Sequence, residues 1–256
     1  CAMATGLGKT LMAANFIKRR AHLGRALFLA PIDEVVFQNA KAVQAENPGI
    51  PVGIVKAGLN QKNARIVIAS LHTVRKSKRL QMFPKASIDT VIVDECHLNL
   101  DAYREVIEHV ATPDAAVIGL SASPFRLDGR GLDEVFDDIA FEMSLIDGIR
   151  EGWLCEPISL QFSLKGADFS SVHFRKGDLD QVAEFIRRAD NWQEKITEQW
   201  RTHAGHLKTA MFVPRVEMAK ELAEYLRAGG VRAAAIDGAM DKGERRKRLA
   251  DYESGQ

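Results

Sequence analysis

Met3-Ala4-Thr5-Gly6-Leu7-Gly8-Lys9-Thr10 is the stretch on which the reading of the whole chain turns. Two glycines followed by Lys-Thr, directly ahead of an apolar-periodic segment, predict a phosphate-binding loop running into a helix. Gly6 and Gly8 lack a Cβ, so the backbone can turn in ways closed to other residues and come close to an anion. Amides around Gly8, Lys9 and Thr10 can then point at a polyphosphate, with the positive end of the helix dipole behind them. Thr5, Gly6, Leu7, Gly8, Lys9 and Thr10 are therefore the expected ATP-binding residues. Lys9 would reach the β/γ-phosphates and the Thr10 hydroxyl would ligate Mg²⁺. The general pattern has a glycine where Met3 stands, and the plain alternative is a Gly-Leu-Gly turn that only opens a helix.

A second stretch weighs against that alternative. Val93-Asp94-Glu95-Cys96-His97 ends the apolar run Ile88 to Val93, whose continuity predicts a parallel strand covered on both faces. Similar short runs occupy Arg25 to Ala30, Val52 to Val55, Ile66 to Ala69 and Ala115 to Leu120. Between them, helical spacing places Leu11, Ala14 and Ile17 on one face. The same spacing places Val36, Ala40 and Val43 behind a cap at Asp33. Strands alternating with helices at this density predict an α/β fold, a parallel sheet flanked by helices. Ligands in such sheets bind beyond the carboxyl ends of the strands. The Gly8 loop, Asp94-Glu95 and Ser121-Ala122-Ser123 all fall at such ends. Asp94 is expected to hold Mg²⁺ opposite Thr10, and Glu95 to orient and deprotonate the attacking water. With Lys9 neutralising phosphate charge, Glu95, Lys9 and Asp94 form the expected catalytic set.

Composition sets wider bounds. A chain of 256 residues with 46% hydrophobic content can build one large α/β domain or two smaller ones. The formal charge of +1 neither requires nor excludes a nucleic-acid partner. Cys1, Cys96 and Cys155 are odd in number and far apart, which argues for a reducing, cytoplasmic setting and against a disulfide framework. No apolar run approaches the roughly 20 residues of a membrane helix, and no signal peptide is present. Only Cys1 and Ala2 remain of the strand that should precede the loop, so the chain is expected to be part of a longer protein.

Taken together, Ala4 to Thr10, Asp94-Glu95-Cys96-His97 and Ser121-Ala122-Ser123-Pro124-Phe125-Arg126 resemble motifs I, II and III of superfamily 2 helicases, in that order and spacing. The Asp-Glu-Cys-His form, with Pro-x-Arg after motif III, is most similar to the DEAH-box, type III restriction-like branch known from phages and bacteria. The resemblance covers essentially the whole chain. It implies two RecA-like domains, the first over 1–147 and the second, incomplete, over 148–256, with a linker around Asp147 to Glu156. It implies that His97, Ser121 and Ser123 couple the nucleotide site to a nucleic-acid track; the family's usual threonine is replaced by Ser123, which keeps the hydroxyl. Ala30-Pro31 through Gln38 corresponds to motif Ia and Ala69-Ser70-Leu71-His72-Thr73 to motif Ib, so Pro31, Gln38, Ser70, His72 and Thr73 are implied contacts to a bound strand. Read alone, Ser70, His72 and Thr73 are an ordinary strand-to-helix connection. The basic run Arg75 to Arg79 reads equally as a solvated face.

The second half is less explicit. Strands are expected at Ile158 to Leu164, Lys208 to Val213 and Val231 to Ile236. Helices are expected after a cap at Asp178, through Trp192, Ile196 and Trp200, and through Ala219, Leu222, Ala223 and Leu226. Tryptophans at that spacing are core anchors rather than base-stacking platforms. His203 and His206 lack the partners for zinc. Phe212-Val213-Pro214-Arg215 resembles motif IV, and Asp237-Gly238 with Arg245 the segment after it, which adds Arg215 and Gly238 to the implied nucleic-acid contacts. Arginines that the family places later in the second domain do not follow Gln256, so the isolated chain is expected to hydrolyse ATP poorly.

The function so implied is an ATP- and Mg²⁺-dependent helicase or translocase on nucleic acid, DNA in preference to RNA. The rivals are the motor subunit of a type III-like restriction enzyme, a nucleotide-gated clamp that does not unwind, and a small-molecule kinase. Glu95 argues against the clamp, because pure binding needs no water-activating carboxylate. The second α/β segment and the Ser-Ala-Ser-Pro motif argue against the kinase.

Overall fold

The computed structural model describes residues 1–123, 131–162 and 179–255. The Pro124-Phe125-Arg126 end of motif III and the expected cap at Asp178 lie outside the described residues. Two compact units divide the chain, Cys1–Pro157 and Ile158–Gln256.

The first unit runs β1 (Ala2–Met3), α1 (Lys9–Arg20), β2 (Ala26–Ala30), α2 (Asp33–Glu46), β3 (Val52–Lys56), β4 (Leu59–Asn60) and β5 (Ile66–Ser70). It continues through α3 (Leu71–Val74), α4 (Ser77–Leu80), β6 (Ile88–Val93), α5 (Leu100–Val110), β7 (Ala111–Gly119), β8 (Glu142–Met143) and α6 (Leu145–Arg150). The main sheet has the order β4-β3-β5-β2-β6-β7. All neighbours are parallel except the short edge strand β4, which folds back antiparallel on β3. Strand β1 pairs in parallel with β8, and a bridge from Ala2 to Ser121 ties that pair to the end of β7. The short strand ahead of the glycine loop therefore lies beside the segment that carries Ser121.

Burial on both faces explains why β2 and β5 read as continuous apolar runs. Leu27, Leu29, Val67, Val91 and Val93 pack against Leu71, Val74, Tyr103, Val106 and Val110 from α3 and α5. On the opposite face Phe28, Ile68 and Ile92 pack against Ala13, Ala14 and Ile17 of α1 and Val36 and Val43 of α2. Alternate residues of each strand go to opposite faces, and helices close both.

The expected cap at Asp33 is corrected. Ile32 is the N-cap and Asp33 is the first helical residue, with no side chain capping the helix. The chain turns into α2 one residue earlier than a cap at Asp33 requires, and Asp33 meets Lys56 instead. The Lys56 ammonium donates to the Asp33 carbonyl at 2.9 Å and stands 3.9 Å from its carboxylate.

In the second unit the described elements are α7 (Leu179–Arg188), α8 (Trp192–His203), α9 (Val216–Ala228) and α10 (Lys242–Ser254). The strands expected near 158–164, 208–213 and 231–236 form no ladder among the described residues. Two of the three still alternate: burial changes residue by residue from Thr209 to Val213 and from Val231 to Asp237, while Ile158 to Phe162 is exposed throughout. Met211, Val213, Val231 and Ala233 turn toward Trp192, Met218, Leu222 and Leu226 in the helical core, which Ile196 and Trp200 complete. Alternation decides which side of a segment meets the helices. A ladder also needs a neighbour in register about 4.8 Å away, and alternation does not supply one.

Candidate functional site

The glycine loop enters the left-handed region twice, with φ of 92° at Gly6 and 79° at Gly8. Gly8 is the N-cap of α1, and no side chain caps that helix. Its first amides therefore lack a side-chain cap and can receive an anion. A Cβ on Gly6 would stand 2.9 Å from the Leu154 Cδ2, the far end of a side chain that can shift, so the positive φ rather than space calls for glycine. Lys9 Nζ curls back over the loop and donates to the Met3 carbonyl at 3.0 Å.

Strand β6 delivers the acidic pair. The Asp94 amide donates to Leu29 O at 2.9 Å, which continues the ladder to the strand's end. Glu95 then takes φ of 47°. A non-glycine residue there costs on the order of 1–3 kcal/mol, and it persists where its surroundings over-determine it. Here Cys96 N donates to Leu120 O at 3.0 Å and Leu98 N to Glu95 O at 3.0 Å. The wholly buried Tyr103 of α5 donates its hydroxyl to the Asp94 carbonyl at 2.7 Å.

Around the Asp94 carboxylate, Oδ1 accepts from the Glu95 amide at 3.1 Å and Oδ2 from Asn39 Nδ2 at 3.4 Å. The Thr10 hydroxyl donates to Asn39 Oδ1 at 3.5 Å. Thr10 and Asp94 thus flank one buried carboxamide. One hydroxyl and one carboxylate oxygen are hard donors of the kind Mg²⁺ takes together with phosphate oxygens and water. Burial pushes the Asp94 carboxyl above the usual carboxylate range, and the adjacent Glu95 charge adds to the rise. The Asn39 and Glu95 hydrogen bonds and the Lys9 charge work against it. Cys96, within the same motif, has its thiol pushed up to about 11 by burial and stays protonated.

His97 brings the coupling residues together. Its Nδ1 lies 2.8 Å from Ser121 Oγ and 3.5 Å from Glu95 Oε2. Ser121 Oγ donates to the Ser123 carbonyl at 2.5 Å and accepts from the Ser123 amide at 3.0 Å. With the one hydroxyl proton spent on Ser123, the contact with His97 balances when His97 Nδ1 carries the hydrogen. Ser123 joins this chain through its backbone.

The residues read as strand contacts divide by exposure. Gln38 and His72 are exposed, while Pro31, Ser70 and Thr73 are buried. Thr73 Oγ1 accepts from the Ala57 amide at 3.2 Å. His72, Thr73, Arg75 and Lys76, with Asp33 and Ala57, line an open cavity of about 420 Å³. In the second unit Arg215 Nε pairs with Asp180 at 2.9 Å. Gly238 sits in the turn after the segment Val231 to Asp237. Arg245 and Arg248 of α10 donate to the carbonyls of Asp237 and Ala235.

Comparison with known proteins bears on family and fold. Residues 1–126 match the family described as Type III restriction enzyme, res subunit. The chain is 29% identical over 272 residues to a putative mitochondrial ATP-dependent helicase, irc3, of Schizosaccharomyces pombe, covering 98% of this chain and 43% of that protein. It is 26% identical over 258 residues to the 51.5 kDa protein of Lactococcus phage 7-9, covering 98% of this chain and 51% of the phage protein. Over residues 1–126 the first unit is similar to the type III restriction-like branch of the superfamily 2 helicases. This chain spans about half the length of those relatives, at 43% and 51%. Among solved structures, S. cerevisiae Dbp5 bound to RNA and ADP BeF3 superposes with a TM-score of 0.56 at 17% identity, over 100% of this chain and 62% of that one. That likeness concerns fold alone, and it extends the α/β, RecA-like architecture to part of the second unit.

Two residues of this unit escaped the sequence reading. Asn39 is a polar residue on the inward stripe of α2, between Val36 and Ala40, and that misplacement was its signal. Tyr103 reads as one more core aromatic of α5; only the fold shows that its hydroxyl reaches Asp94.

Proposed function

We propose that the chain is the motor part of an ATP-dependent helicase or translocase that moves along nucleic acid, DNA in preference to RNA. The observation that carries the reading is the meeting of Thr10 and Asp94, remote in sequence, on the two ends of one buried amide. Lys9 leaves the Met3 carbonyl for the β/γ-phosphates of ATP. Thr10 and Asp94 hold Mg²⁺, which when bound neutralises charge on the phosphate oxygens. Glu95, just past the end of β6, orients the attacking water and takes its proton. His97, Ser121 and Ser123 pass the state of that site to the polymer track. The exposed Gln38 and His72, with Arg75 and Lys76, meet backbone phosphates there. Pro31, Ser70 and Thr73 lie buried in the same stretches of the first unit, and Arg215 and Gly238 are read as polymer contacts of the second unit by itself. A cytoplasmic setting belongs to the same reading, supported by three free cysteines and by the lack of any described helix long and apolar enough to cross a membrane.

Mg-ATP turnover by the whole protein, compared without polymer and with single-stranded DNA, duplex DNA or RNA, tests this. Stimulation by one polymer is expected. Lys9→Ala should lower turnover on the order of 100-fold or more, and Glu95→Gln should hold ATP without turnover. Turnover indifferent to every polymer would overturn the motor reading.

A further inference from the structure

We infer that Asn39 is a positioning residue of the nucleotide site: its buried amide sets the separation and orientation of the two oxygens that take the cation. The inference rests on the reading of Thr10 and Asp94 as cation ligands and extends it to a residue outside the helicase motifs. Asn39 is 3% exposed and sits on the inward stripe of α2, between Val36 and Ala40, where an apolar side chain would otherwise complete the core. An amide in that position has to be satisfied. Its two ends find partners of opposite kind, Oδ1 accepting from the Thr10 hydroxyl at 3.5 Å and Nδ2 donating to Asp94 Oδ2 at 3.4 Å.

Among the twenty side chains a carboxamide is suited to this span, because it offers an acceptor to a hydroxyl and a donor to a carboxylate from one planar group. A leucine would satisfy neither neighbour and leave the Asp94 oxygen desolvated. A carboxylate would accept from Thr10 but face Asp94 with like charge. Both contacts exceed 3.2 Å, longer than a well-formed hydrogen bond, so the amide steers the two oxygens rather than locking them. Outer partners that orient metal ligands typically affect metal affinity by 10–100-fold. Asn39 also follows directly on Gln38, an exposed residue of the segment read as meeting the polymer. A shift of α2 on the polymer side is thereby transmitted to the cation ligands through one side chain.

Mn²⁺ titration followed by electron paramagnetic resonance, with the chain and ADP, reads this directly. Fluorescent-ADP binding in EDTA and thermal melting run in parallel. For Asn39→Ala, Mn²⁺ affinity in the presence of ADP should fall on the order of tenfold, while ADP binding in EDTA stays unchanged. Asn39→Leu, which keeps the branched shape but satisfies neither neighbour, should show the same loss of Mn²⁺ affinity with ADP binding in EDTA unchanged; wild-type Mn²⁺ affinity in this variant would overturn the inference. If Asn39→Ala binds Mn²⁺ like the wild type, or loses ADP binding equally in EDTA, the residue is only core packing and the inference falls. If the wild-type chain with ADP takes up no Mn²⁺, the cation-site reading of Thr10 and Asp94 falls first and takes this inference with it. A folded Asn39→Leu keeps the test decisive should Asn39→Ala melt at a much lower temperature.

Discussion

The two units handle the same kind of sequence differently. In the first, apolar runs such as Ala26 to Ala30 and Ile66 to Ser70 are buried at each position, laddered to neighbours on both sides and covered by helices above and below. In the second, Thr209 to Val213 and Val231 to Asp237 carry alternation of equal clarity, yet each meets helices on one side only. Phe212, on the other side, is 96% exposed. A strand pattern is thus a statement about faces. A strand also needs a partner for its backbone groups and cover for its second face. The residues read as catalytic, Lys9, Asp94 and Glu95, lie in the unit where both were met.

Truncations give the sharpest test of this contrast. Phe28→Ala, in the wholly buried β2, should destabilise the first unit by about 3–5 kcal/mol in urea unfolding. Phe212→Ala, nearly fully exposed, should change stability by no more than about 0.5 kcal/mol. Equal losses at the two positions would mean that the segment around Phe212 is covered in solution.

Tyr103→Phe probes the rigidity of the strand end with the ring retained. It leaves the Asp94 carbonyl without its 2.7 Å donor and should cost about 1–3 kcal/mol in the same assay. A neutral outcome would mean that the positive-φ bend at Glu95 is held by the backbone bonds alone.

Asp94→Asn should have the smallest effect on stability, and its sign is informative. Burial raises the Asp94 pKa in the folded chain. The folded state therefore binds more protons than the unfolded one between the ordinary carboxylate value and the raised value. Stability from this group is highest below that window and falls as pH rises through it. In EDTA, the melting temperature of Asp94→Asn should match wild type in acid and exceed it modestly at neutral pH. A variant that melts lower at neutral pH would show that the charge is better compensated than its surroundings indicate. The gain would come with loss of turnover, since the same oxygen is read as a cation ligand.

Much of the first unit was legible in the order of residues. Glycines at 6 and 8 mark a loop that must adopt positive φ, and an apolar run ending in Asp-Glu marks a buried strand that surfaces at its carboxyl end. These signals are local, set by sterics and by period, so no fold is needed to read them. The sheet order, the meeting of Thr10 with Asp94 on Asn39, the hydroxyl of Tyr103 under the motif II bend, and the unpaired strand-like segments of the second unit are of another kind. Each depends on which remote segment ends up alongside, and hydrophobic periodicity says only that a face is buried, never what buries it. That choice belongs to packing among elements far apart in the chain, so it emerged only with the tertiary structure.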